Sequence, residues 1–151
     1  MSDWLDPVFD WLAANGSGRA LFVAMPSYRP ELIRALAEAT GFDHCDFRRE
    51  VMAKAGSDPA TLPLSLIEET IAGHAARNGL VLQNVESLLA TRSAEDRSGW
   101  IARMVAIAHP LTLIFPIALF NADLPDDTAV IHIAPDALPA DTLMMRLWGS
   151  S

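Results

Sequence analysis

A chain of 151 residues, 51% apolar and 20% charged, is long enough to fold as one domain around its own core. Its net charge of −8 comes from acids spread along the chain, which argues against DNA or RNA as the main ligand, because nucleic-acid binding needs a cationic footprint. A lone Cys45 excludes an internal disulfide framework, and the scattered His44, His74, His109 and His132 do not form a structural zinc set.

Helical and strand-like patterns alternate along the chain. From Asp3 to Ala14, Trp4, Leu5, Val8, Phe9 and Leu12 share a helical face, and Asn15-Gly16-Ser17-Gly18 stops it. Ala20 to Met25 is a continuous apolar run, the pattern of a strand buried on both faces. Pro30 suits the first turn of the next helix, whose stripe is Leu32, Ile33 and Leu36 and whose stop is Gly41. A short strand is expected within Phe42 to Phe47. After the loop Gly56-Ser57-Asp58-Pro59, Ser65 and Glu68 have capping-box spacing, and a helix should run to Asn78-Gly79.

Leu80-Val81-Leu82 reads as another buried strand, ending near Gln83-Asn84. Ser93 and Asp96 open a helix carrying Trp100, Ile101, Met104 and Val105. Leu111 to Phe115 is a clear strand, which Pro116 should stop, because proline cannot donate to a central ladder. Ala129 to Ile133 is a further strand, and Asp141 to Trp148 has the composition of a short helix. Strands separated by helices imply parallel pairing with right-handed crossovers. The expected fold is one α/β domain over 1–151: three layers, a mostly parallel sheet of about four or five strands, and helices on both faces. The opening residues Met1 to Asp6 have no basic run, so no signal peptide is expected. The longest mostly apolar run, Leu111 to Phe120, is shorter than the roughly 20 residues of a membrane span. A cytoplasmic, membrane-free protein is expected.

Open parallel sheets place ligands beyond the carboxyl ends of their strands. A phosphate loop there needs glycines, a lysine and a Ser/Thr hydroxyl. Here the first strand runs into Met25-Pro26-Ser27-Tyr28-Arg29-Pro30-Glu31, without glycine or lysine and with two prolines that remove N–H donors. Where a magnesium-anchoring aspartate would stand at the end of Leu80-Val81-Leu82, the chain has Gln83, which offers a carbonyl oxygen but no charge. In the bland reading Gln83 and Asn84 satisfy backbone groups and Glu86 is solvated.

The order helix, strand, turn, helix and then Leu80-Val81-Leu82-Gln83-Asn84-Val85-Glu86-Ser87-Leu88-Leu89 resembles the small P-loop proteins of bacterial BREX phage-exclusion systems over residues 1 to about 135. The resemblance implies a P-loop NTPase-like topology. With both motifs lost it implies a degenerate, non-hydrolysing relative, with Ser27, Tyr28, Arg29, Gln83, Asn84 and Glu86 at the vestigial nucleotide site.

Other candidates have simpler explanations. His44 and Cys45 would point to opposite faces of a strand, so Cys45 reads as a buried structural thiol. Asp43, Asp46 and Glu50 could hold a metal, but Arg48 and Arg49 beside them would more simply pair with them. Trp4, Trp11, Met144, Met145 and Trp148 are candidates for a partner surface, since Trp and Met are enriched at interfaces, and Arg48 and Arg49 form a charged patch that could meet a phosphate or an acidic partner or simply be a solvated face. Two main readings stay open. One is a non-catalytic adaptor subunit, free of cofactor and metal, with a protein partner in a larger complex or a homo-oligomer and no direct nucleic-acid contact. The other is a nucleotide-binding or nucleotide-hydrolysing domain with an atypical loop. A weaker third is an enzyme using Cys45.

Overall fold

The computed structural model describes residues 4–56 and 58–139. Among them five strands form one all-parallel sheet: β1 (Ala20–Ala24), β2 (Asp43–Asp46), β3 (Gly79–Gln83), β4 (Thr112–Ile117) and β5 (Val130–His132), in spatial order β2-β3-β4-β1-β5. Helices α1 (Asp6–Asn15) and α2 (Pro30–Thr40) cover one face. On the other lie a π-helical turn (Arg48–Met52) running into α3 (Ala53–Ala55), then α4 (Ser65–Gly73), α5 (Glu86–Leu89) and α6 (Ala94–Ala106). The three-layer α/β architecture expected from the sequence is present.

Alternation along each strand builds the two cores. Leu21, Val23, Val81 and Ile114 face Trp4, Val8, Trp11, Ile33 and Leu36. Phe22, Cys45, Leu80, Leu82, Leu113 and Phe115 face Ile67, Leu88, Trp100, Ile101 and Met104. Phe22 stacks on Phe115 with centroids 4.9 Å apart, and Trp100 meets Phe115 edge-on at 5.5 Å. Gly79 opens β3 where a Cβ would lie 2.6 Å from the Phe42 ring, so the missing side chain makes room for an aromatic face.

The local signals hold in most places. Gly41 ends α2 in the left-handed conformation, and the Ser93 side chain accepts from the Asp96 N–H at the start of α6. Three expectations fail. Ser65 does not cap α4: it already lies inside the helix, behind Leu64, and Glu68 instead pairs with Arg103. That helix ends at Gly73, short of Asn78. Pro116 does not stop β4 but lies within it, opposite Val23. The Leu113 N–H bonds Arg19 on the β1 side and the Thr112 N–H bonds Asn78 on the β3 side. By that alternation the Pro116 nitrogen faces β3, and pairing with β3 ends at Val81 and Ile114, the last pair before the proline would have to donate. The proline thus ends the ladder on the β3 side, where a donor at its position would have met the Leu82 carbonyl, while β4 continues beside β1 through Ile117. The expected helix over Asp141 to Trp148 lies outside the described residues. No helix among the described residues is long and apolar enough to cross a membrane.

Candidate functional site

The β1–α2 turn is the natural place for a phosphate loop, and its side chains are engaged elsewhere. Arg29 donates through Nε to Glu31 at 2.9 Å and through Nη1 to the Pro139 carbonyl at 2.5 Å. It does not stand in for the missing lysine. Ser27 is exposed. Tyr28 reaches across to β3, where its hydroxyl accepts from Gln83 Nε2 at 2.6 Å. The other end of that amide, Oε1, meets His44 Nε2 at 2.7 Å. With the amide in this orientation His44 carries its proton on Nε2. The chain Tyr28–Gln83–His44 thus ties the first turn to β3 and β2.

Asn84 adopts φ 68°, a left-handed conformation that asparagine tolerates better than most residues. This turns the chain from β3 toward α5 and aims the amide sideways. Asn84 Nδ2 donates to Asp46 at 2.8 Å, and the same Asp46 oxygen accepts the Arg49 N–H at 3.2 Å. Gln83 and Asn84 therefore bond side chains, not the backbone groups expected of a strand end.

Glu86 is not solvated. It is 7% exposed, and its carboxylate accepts three consecutive N–H groups past β4: Ala118 at 2.9 Å, Leu119 at 2.6 Å and Phe120 at 3.0 Å. Both oxygens are engaged, so the side chain fastens a loop and is not placed to activate water. Where Ser27, Tyr28, Asn84 and Glu86 converge beside Pro116, the gap is only ≈ 10 Å³, about the least a single water requires.

Two larger hollows flank Tyr28. A cleft of ≈ 400 Å³ is lined by Tyr28, Arg34, His44, Arg49, Glu50 and Gln83, among others. A groove of ≈ 210 Å³ on the other side is lined by Tyr28, Arg48, Asn84, Ser87, Ala118 and Leu119, with Glu86 beneath. Leu119 is 71% exposed and Tyr28 48%. Leu119 sits in the mostly apolar run from Leu111 to Phe120, so nothing local signals its exposure.

The interface candidates divide. Trp4 and Trp11 are 3% and 8% exposed and belong to the core beneath β1, so neither is a surface anchor. Their seven-residue spacing aligns them on the sheet-facing side of the chain. Arg48 and Arg49 are exposed and form no ion pair among the described residues. They do not neutralise the neighbouring acids: Asp43 pairs with His74 at 2.8 Å and Arg77 at 3.7 Å, while Glu50 accepts the Asp46 N–H at 2.6 Å. Asp43 and Asp46 lie on opposite faces of β2, and no metal-binding cluster occurs among the described residues. Met144, Met145 and Trp148 lie outside the described residues.

Cys45 is buried beside Leu82, on the face opposite His44. Burial, reinforced by the carboxylates of Glu50, Asp46 and Asp43, pushes its thiol from 9.0 up to about 12. Such a thiol is no nucleophile at neutral pH. Iodoacetamide at pH 8 should modify Cys45 only after denaturant is added. The unfolded thiol ionises near 9.0 while the folded one keeps its proton to about 12, so between those values the folded state binds more protons and stability falls as pH rises. A urea series across that window should show a shallower decline in Cys45→Ala than in the parent. Equal slopes would mean the thiol ionises alike in both states.

Compared with known protein families and with curated proteins, the chain matches none.

Proposed function

We propose that this chain is a non-catalytic interaction subunit, a degenerate P-loop-like domain that serves as an adaptor in a cytoplasmic phage-defence assembly. The observation that carries the reading is that the polar side chains at the strand ends are already bound to the protein's own groups. Tyr28 is held by Gln83, Glu86 and Arg29 are bound to the protein's own groups, and the gap between the first turn and the end of β4 is only ≈ 10 Å³. A triphosphate would have to displace all three. P-loop-like descent is supported by a buried first strand that runs through a turn directly into a helix inside a parallel sheet. The assembly rests on the resemblance of the Leu80 to Leu89 segment.

Thermal melting with magnesium ATP or GTP separates this reading from a nucleotide-binding one. Ligand at a hundredfold over its Kd would stabilise the fold by about 2.7 kcal/mol, roughly 5–10 °C in a domain of this size. The expected shift at millimolar nucleotide is zero, and a shift of that size would make the chain a nucleotide-binding domain. A tagged chain at native expression level should retain a stoichiometric protein partner.

A further inference from the structure

We infer that the groove between Tyr28 and Leu119 is a docking site for an acidic partner segment that inserts one apolar side chain. The inference rests on the adaptor reading and gives it a surface and a partner chemistry. Its first support is that both apolar walls are fixed. Leu119 is the most exposed large apolar residue among those described, at 71%. Yet its own N–H and those on either side are held by Glu86, so its exposure does not come from a loose loop. The Tyr28 ring is tethered through its hydroxyl to Gln83. Walls already ordered before a partner arrives reduce the entropy lost on binding. Tyrosine, with an apolar body and a polar tip, is a frequent interface anchor.

The second support is charge. Arg48 lines the groove and forms no ion pair among the described residues. The one acid in the lining, Glu86, already accepts three N–H groups and is buried. On a chain of net charge −8, this groove presents the Arg48 guanidinium beside an apolar slot. A carboxylate next to a leucine-, methionine- or phenylalanine-sized side chain is the complement, because arginine binds carboxylates through paired donors. The groove, at ≈ 210 Å³, suits one such side chain.

The test is a selection of a randomised phage-displayed peptide library against the purified chain, followed by fluorescence polarisation with synthetic peptides. Selected peptides should carry an apolar residue close to Asp or Glu. Leu119→Asp and Arg48→Glu should each weaken the best peptide at least roughly tenfold, and Phe9→Asp, at an exposed position on α1, should leave it unchanged. Exchanging the peptide's acid for lysine should restore binding to Arg48→Glu. Both key residues are exposed, so melting temperatures should stay near the parent's, and Arg48→Glu suffices if Leu119→Asp does not fold. Peptides without acids, or affinities indifferent to both substitutions, would overturn the inference. So would a dimer, seen by light scattering, that Leu119→Asp dissociates, since the groove would then belong to a second copy. If peptides bind elsewhere and nucleotide leaves the melt unmoved, this surface falls and the adaptor reading stands. Stabilisation by nucleotide would remove both.

Discussion

Glu86→Ala is expected to lower unfolding free energy by about 3 kcal/mol, because it removes the charged acceptor of three backbone N–H groups in a partly buried loop, and a hydrogen bond to a charged group contributes about 1.5–3 kcal/mol before water takes its place. Against a typical total of about 5–15 kcal/mol, that is a large share of the fold's stability. Glu86→Gln should fall between the two. Its carbonyl oxygen can take the place of the oxygen that serves Leu119 and Phe120, but its NH₂ then confronts the Ala118 N–H, donor against donor. Urea denaturation measures the loss, and amide exchange at 118–120 should quicken in both variants. A loss below about 1 kcal/mol in Glu86→Ala would show that water replaces the carboxylate. The same experiment bears on the docking groove, because freeing this loop also frees Leu119.

Trp11→Asp is expected to abolish folding or come close to it. The side chain lies in the core with Trp4, Val8 and Leu21, and an unpaired charge there costs several kcal/mol on top of the lost packing. Trp11→Phe makes the informative contrast. The indole Nε1 is buried with no hydrogen-bond partner among the described residues, so phenylalanine removes an unsatisfied donor while giving up part of a ring. The two effects oppose, and the net change should stay within about 1.5 kcal/mol. Circular dichroism and thermal melts of both variants check this. A folded, stable Trp11→Asp would return Trp11 to the surface and reopen its reading as a partner contact.

The parts of the fold that depend on short windows of sequence were legible. Ala20 to Met25 and Leu80 to Leu82 are apolar without alternation, as strands covered on both faces must be, and β1 and β3 are buried throughout. Gly41 and Ser93 act as stops and caps because their effect is settled within one turn of backbone. Ser65 and Glu68 have equally good local spacing, but Arg103, from a distant helix, takes Glu68. Pro116 was misread because which neighbour a strand nitrogen faces depends on register, which only the assembled sheet defines. Of the candidate site, Tyr28, Gln83 and Asn84 were found by their place at strand ends, and the structure does bring them together. That Glu86 closes on residues more than thirty positions away could not be read from composition, nor could the exposure of Leu119.

The place of β1 in the sheet bears on how the chain is made. Its two neighbours, β4 and β5, are the last strands among the described residues. When Ala20–Ala24 leaves the ribosome, the β4 residues that will flank it are about ninety positions away, roughly 5–20 s at ordinary rates of synthesis. Throughout that interval a fully apolar segment has two unpaired edges, the arrangement most prone to pair with another chain. Nascent chains should therefore lean on ribosome-associated chaperones. Fragments truncated before residue 112 should collect in inclusion bodies, while chains that extend through His132 should remain in solution, a difference that a fractionated lysate would reveal.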